Sequence, residues 1–176
     1  DFTANYVSDD SYVINNINIY DTKEPIKLDS SNLIQKAGPR EKIYFDPKHA
    51  KAGICTCGGL CPGLNDVIRA IVRCLNTRYG VKTIKGYQYG YHGFFADSGY
   101  EPIELDRYLI DEIHKIGGTY LGTSRGGGTR TSEIVDCLER DGINMLFIIG
   151  GDGTQRGAYD VACEVEKRGM KCAVVG

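Results

Sequence analysis

The chain predicts an α/β fold in which a parallel sheet carries helices on both faces. Short apolar runs of strand length alternate with segments whose apolar residues fall at helical spacing. Glycine turns, rather than long loops, join those runs to the helices. The totals agree: 176 residues, 41% hydrophobic, 25% charged and a net charge of −2 describe an ordinary globular chain able to bury a core. That balance gives no argument for a nucleic-acid or membrane partner. No apolar run nears the ~20 residues of a membrane span. Glycine is the outlier, at 23 of 176 residues, well above the usual ~7%.

Residues 1–50 are polar and read as an extension beside the main domain, which we place at 51–176. Tyr12–Tyr20 alternates like a strand through Val13, Ile17 and Ile19. The first residues are acidic and lack the apolar core of a secretory leader. Ala37-Gly38-Pro39-Arg40 reads as a turn before Ile43-Tyr44-Phe45.

From Lys51 the alternation is regular. Ala52–Cys57 reads as a strand ending in Gly58-Gly59-Leu60-Cys61-Pro62-Gly63-Leu64-Asn65. Ile68, Ile71, Val72 and Leu75 then mark one face of a helix of about four turns, with Asn65 as its N-cap. Val81–Ile84 is the next short strand, and a Tyr- and Gly-rich loop runs from Gly86 to Phe95. Leu109, Ile110, Ile113 and Ile116 predict an amphipathic helix over Arg107–Ile116, stopped by Gly117-Gly118. Thr119–Leu121 reads as a strand before a second glycine loop, Gly122 to Gly128, and a short helix marked by Ile134, Val135 and Leu138.

Leu146-Phe147-Ile148-Ile149 then runs without a spacer into Gly150-Gly151-Asp152-Gly153-Thr154. Ala158, Val161, Ala162 and Val165 give the following helix its apolar face, Gly169 stops it, and Met170–Val175 is a further apolar run. Glycines at a strand-to-helix turn let a ligand approach the backbone, and the exposed N–H groups there suit phosphate. Asp152 would repel phosphate unless a cation such as magnesium lay between them. The same residues would also serve a plain βα turn with Asp152 as helix cap. In such sheets ligands sit at the carboxyl ends of the strands. The Gly58, Arg125 and Gly150–Thr154 loops should therefore share one edge, where Arg125 could fork onto phosphate oxygens. Standing alone, an arginine such as Arg125 is more often a solvated surface residue; its glycine neighbours and this convergence give it weight. No carboxylate or histidine in these loops is placed to take a proton from an alcohol.

The seven cysteines are odd in number and several fall on strands or helix faces, which suggests reduced thiols and a cytoplasmic setting. Cys55, Cys57 and Cys61 lie close together but lack a matching pair in zinc-site spacing. The three histidines, His49, His92 and His114, are scattered.

Thr56 to Asn65, Gly117 to Arg125 and Gly150 to Thr154 together resemble the phosphofructokinase family in order and spacing, and the likeness covers Lys51 to Gly176. The Gly-Gly-Asp-Gly element alone is also similar to NAD kinases and diacylglycerol-type lipid kinases. The flank Ala37 to Phe45 and the Cys57–Asn65 wording most resemble the plant-type ATP-dependent branch, which trypanosomatid enzymes approach.

The resemblance implies a Rossmann-like amino-terminal domain and a glycolytic kinase. Its expected reaction moves the γ-phosphoryl of MgATP to the 1-hydroxyl of fructose 6-phosphate. It further implies ATP contacts from Gly58, Arg125, Gly126, Gly151, Asp152, Gly153 and Thr154, with Asp152 on Mg2+. Tyr91 matches a family tyrosine near the nucleotide. Arg69 and Arg73 match arginines that bind an effector phosphate, giving an allosteric enzyme, though they would serve as well as solvated basic residues. Gly153 favours ATP, since pyrophosphate-using members typically carry Asp there. A homo-oligomer, a tetramer in the family, is also implied.

The family's general base is an Asp in a loop directly after the strand matching Met170–Val175. That places it beyond Gly176, so the chain is expected to be an amino-terminal part of a longer enzyme and inactive alone. A pyrophosphate-dependent relative and a non-catalytic regulatory subunit are the alternatives. A dinucleotide-binding dehydrogenase fits less well, because the first turn lacks G-x-G-x-x-G and no acidic residue follows the second strand.

Overall fold

The computed structural model describes residues 5–14 and 32–176. Two compact units divide the chain, 1–44 and 45–176. In the first, β1 (Tyr12–Ile14) pairs antiparallel with β2 (Leu33–Gln35). Arg40 reaches Asp9 at 3.0 Å and the Val7 carbonyl at 3.1 Å. Ile17 and Ile19, expected to continue the first strand, lie outside the described residues.

The second unit is built on a five-stranded sheet. Its strands are β3 (Lys51–Thr56), β4 (Thr83–Tyr87), β5 (Ile103–Glu104), β6 (Met145–Ile149) and β7 (Ala173–Val175), in the spatial order β5-β4-β3-β6-β7. Pairing is parallel from β4 through β7, as the strand–helix alternation predicts. β5 adds an antiparallel edge that the periodicity did not contain.

Three helices cover the sheet: α1 (Leu64–Arg73), α2 (Thr131–Asp141) and α3 (Asp152–Lys167). Alternating side chains along β3 serve both faces. Ala52 and Ile54 pack with Ile68 and Val72 of α1, while Cys55 packs with Ile134 and Leu138 of α2 and Val161 of α3. Burying each large aliphatic side chain contributes about 1.5–3 kcal/mol, so the two layers hold the sheet between them. Among the described residues, no helix is long and apolar enough to cross a membrane.

Several expectations need correction. β4 begins at Thr83 and runs through Gly86 and Tyr87, which the sequence placed in a loop. Gly86 belongs in the strand because Leu121 and Leu105 cross directly over it, where a Cβ would collide. Asn65 is not an N-cap. That place falls to Gly63, whose left-handed φ of 89° costs glycine nothing.

Nor is Arg107–Ile116 an α-helix. Asp106 Oδ1 accepts the Tyr108 and Leu109 N–H groups at 2.8 Å, and only a single 3-10 turn, Ile113–Lys115, follows. Ile110 and Ile113 are buried as the pattern required, but Leu109 and Ile116 are exposed. The buried Asn65 amide explains the difference: it donates to the Ile113 and Ile116 carbonyls at 3.0 and 2.9 Å and accepts the Tyr120 N–H at 2.6 Å. A side chain from α1 thus supplies bonds that helical neighbours would otherwise make. Thr119–Leu121, expected as a strand, pairs with no strand among the described residues.

Candidate functional site

Two walls of the site are delivered by strands. β3 ends at Thr56, and the Cys57 N–H extends its pairing by one more bond, 2.8 Å to the Ile149 carbonyl. Gly58 then turns with φ of 86°. β6 ends at Ile149 and passes through Gly150 into α3, whose N-cap Gly151 is extended and makes no side-chain capping bond. The first N–H groups of α3 are therefore left for a ligand. Gly150 is required by its neighbour: a Cβ there would lie 2.5 Å from Thr154 Oγ1. Thr154 is buried, while Gly151, Asp152 and Gly153 are exposed.

The third wall, carrying Arg125, follows no strand, contrary to expectation. Hydrogen bonds suspend it instead. The buried Thr56 hydroxyl donates to the Gly122 carbonyl at 2.7 Å, and Thr123 Oγ1 donates to the Gly58 carbonyl at 2.8 Å. The Gly58 N–H donates to the Ser124 carbonyl at 2.8 Å, and the Ser124 hydroxyl to the Tyr89 carbonyl at 2.5 Å. Tyr89 is the lone non-glycine with positive φ among the described residues, at 56°.

Tyr91 joins the walls. Its ring edge lies against Gly128 and against Gly157 of α3, and its Cβ lies close to Gly127. A Cβ at Gly157 would stand 2.8 Å from the phenol oxygen. The phenol donates to the Thr154 carbonyl at 2.7 Å. Burial pushes its pKa far above the ordinary tyrosine value, so it stays a donor.

The walls enclose an open cavity of about 490 Å³. Gly58, Tyr91, Arg125, Gly126, Gly151, Asp152, Gly153 and Thr154, the residues expected to meet the nucleotide, all line it. Cys57, Thr129, Arg156 and Asp160 line it as well, and none of them was singled out for it from sequence. The helical repeat of α3 was the usable signal for two of these, since 152, 156 and 160 share one face. Arg69 and Arg73 lie elsewhere, both directed at Asp111 Oδ1 at 3.5 and 3.8 Å.

Asp152 has no hydrogen bond or ion pair among the described residues and stands at the mouth of α3. One free carboxylate beside open N–H groups fits a divalent ion that takes its other ligands from water and phosphate oxygens. Among the described residues no cluster of three or more acidic, His or Cys side chains could hold a metal by itself.

Comparison with known proteins agrees with this geometry. The model of the family described as "Phosphofructokinase" matches residues 51–176. An ATP-dependent 6-phosphofructokinase of Borreliella burgdorferi is 59% identical over 144 residues, which is 82% of this chain and 32% of that protein. The chloroplastic ATP-dependent 6-phosphofructokinase 5 of Arabidopsis thaliana is 56% identical over 81% of this chain and 26% of its own length. The Trypanosoma cruzi ATP-dependent 6-phosphofructokinase is 49% identical over 86% of this chain and 31% of its own. The chain thus spans a third or less of the curated relatives it matches.

Among solved structures, Pichia pastoris phosphofructokinase superposes with a TM-score of 0.59 at 28% identity, over 73% of this chain and 13% of that one. The pyrophosphate-dependent phosphofructokinase of Nitrosospira multiformis, 14% identical, shares the fold with a TM-score of 0.63 over 72% of this chain and 32% of that one. The glycine-walled cavity at the strand ends and the match across 51–176 lead to one conclusion: this chain belongs to the phosphofructokinase family.

Proposed function

We propose that this chain forms the nucleotide-binding part of an ATP-dependent 6-phosphofructokinase, which converts fructose 6-phosphate to fructose 1,6-bisphosphate in glycolysis. The observation that carries the reading is the meeting of Arg125, Asp152 and the open start of α3 around one cavity. In phosphoryl transfer the protein mainly positions the reactants and balances charge. The N–H groups at Gly151–Gly153 would hold phosphate oxygens, and the Arg125 guanidinium would fork onto others. Asp152 would hold Mg2+, which when bound neutralises developing charge between the phosphates. Tyr91 keeps the two sides of the cavity at a fixed spacing.

ATP is the proposed donor because the space beside Gly153 is open. A Cβ there would meet nothing within 4 Å, so the wall leaves room for the α-phosphate and nucleoside. The proposal carries with it a homo-oligomeric enzyme in the cytoplasm, a reducing compartment that suits its seven free cysteines. An effector role for Arg69 and Arg73 is the weaker part, since an effector phosphate must compete with Asp111.

The test is a coupled assay of fructose 1,6-bisphosphate formation by the full-length protein. Turnover with MgATP and none with pyrophosphate is expected. Turnover with pyrophosphate alone would assign the other donor, and nucleotide binding without turnover would make the protein a regulatory subunit.

A further inference from the structure

Cys55 and Cys57 project from the same face of β3 and its extension, and their Sγ atoms lie 3.9 Å apart within hydrogen-bonding reach. Both are buried in the layer between the sheet and α2–α3, and Cys57 also forms part of the cavity wall. Its sulfur fits closely against the turn that carries Tyr91: a Cβ on Gly90 would stand 3.0 Å from it. No step in the proposed phosphoryl transfer uses either thiol.

We propose that Cys55 and Cys57 are an oxidisable dithiol, and that closing it to a disulfide reshapes the cavity and weakens nucleotide binding. Residues two apart on a strand have Cα atoms separated by about 6.6 Å. That is near the upper end of the usual disulfide range of about 4.4–6.8 Å. Closure therefore has to pull the chain inward where β3 ends, at the residue bonded to Ile149 and followed by the Gly58 turn. A bond formed under such tension is readily reduced, which suits a reversible switch.

The chemistry balances with hydrogen peroxide as oxidant. The Cys57 thiolate attacks peroxide, an S–O bond forms, the O–O bond breaks, and the departing hydroxide takes a proton to become water. The Cys55 sulfur then attacks the Cys57 sulfenic acid. The S–S bond forms, the S–O bond breaks, and hydroxide leaves with the Cys55 proton as a second water. Two electrons pass from the dithiol to one peroxide. The local setting assists the first step: the bond from Cys55 and the Tyr91 N–H hold the Cys57 thiol below its ordinary pKa despite burial.

Formation of the disulfide does not depend on the nucleotide reading; only its effect on binding rests on it. The experiment treats the full-length protein with peroxide, maps oxidised peptides by mass spectrometry, and titrates a fluorescent ATP analogue before and after. The expected product has lost two hydrogens within the peptide holding both residues, regains them with dithiothreitol, and binds the analogue about tenfold more weakly, a shift of ~1.4 kcal/mol. Cys55→Ala should leave a sulfenic acid trappable at Cys57 and prevent the loss of affinity caused by the disulfide. A Cys61→Ser control, altering an exposed thiol, should change neither result. Oxidation that spares Cys55 and Cys57, or a disulfide that leaves affinity unchanged, would overturn the proposal. Failure of the reduced protein to bind the analogue would instead count against the nucleotide reading, while the peptide map would still decide the dithiol.

Discussion

The Gly150–Thr154 wall and the Arg125 wall face the same cavity but are held by different means. The first is a direct continuation of β6 into α3, so the sheet itself places it. The second hangs from Thr56, Gly58 and Tyr89 by hydrogen bonds and rests on Tyr91. A wall placed by a strand changes only when the core changes. A suspended wall can be loosened by one side chain, and the difference is open to measurement.

The largest effect should come from Tyr91→Ala, which removes the ring that joins both walls. A loss of about 3–5 kcal/mol in urea unfolding is expected for so large a buried aromatic. Tyr91→Phe keeps the ring and should restore all but ~1 kcal/mol, the value of the bond to Thr154. Equal losses in the two variants would show that the hydrogen bond, not the packing, joins the walls.

Asp152→Ala should change the unfolding free energy by less than ~1 kcal/mol, because the exposed carboxylate makes no bond among the described residues and acts on the fold only through the dipole of α3. Under the proposed kinase reading it should lower kcat of the full-length protein by roughly a hundredfold, near 2.7 kcal/mol, through loss of charge stabilisation. Thr56→Val acts on the suspended wall alone. It strands the Gly122 carbonyl and the Thr119 hydroxyl, and should cost about 1–3 kcal/mol in stability. It should also raise KM for ATP more than it lowers kcat. A kcat effect as large as that of Asp152→Ala would mean that the suspended wall carries the reacting phosphate. Arg69→Ala, far from both walls, removes a partly exposed ion pair and should change the melting free energy by less than ~1 kcal/mol.

The strand-placed parts were the legible ones. The runs at 52–57 and 146–149, the helical face of Ile68, Val72 and Leu75, and the turn at Gly150–Thr154 all obey local periodicity, which reports burial directly. The Arg107–Ile116 segment misled for a specific reason. Its apolar spacing reflects contacts of Ile110 and Ile113 with α1, but its backbone makes only isolated turn bonds, and the side chains of Asp106 and Asn65 take up other N–H and carbonyl groups that a continuous helix would pair. Asn65 looked like a cap because a polar residue before an apolar run usually is one; nothing local shows an amide reaching 48 and 51 residues ahead. The Arg125 wall could be expected at the cavity from its glycines, but not its suspension from a buried threonine. Cys57 reads as a strand residue, and its place in the cavity wall appears only once Tyr91 is folded against it.

Tyr91 and the glycines it touches also have a bearing on how this protein can change over generations. Gly128 and Gly157 come from two separate segments, yet neither can acquire a side chain without pressing on the same ring. Conversely, a lineage that replaced the tyrosine with a small residue would relieve both at once and leave a void that larger side chains could refill, whereas Gly127 would stay tied to glycine by its φ of 83°. These positions therefore form one inherited unit, in which a mutation harmful alone becomes tolerable after another. Across homologues, loss of the aromatic ring should coincide with loss of these two glycines, and descendants that keep the ring should keep both.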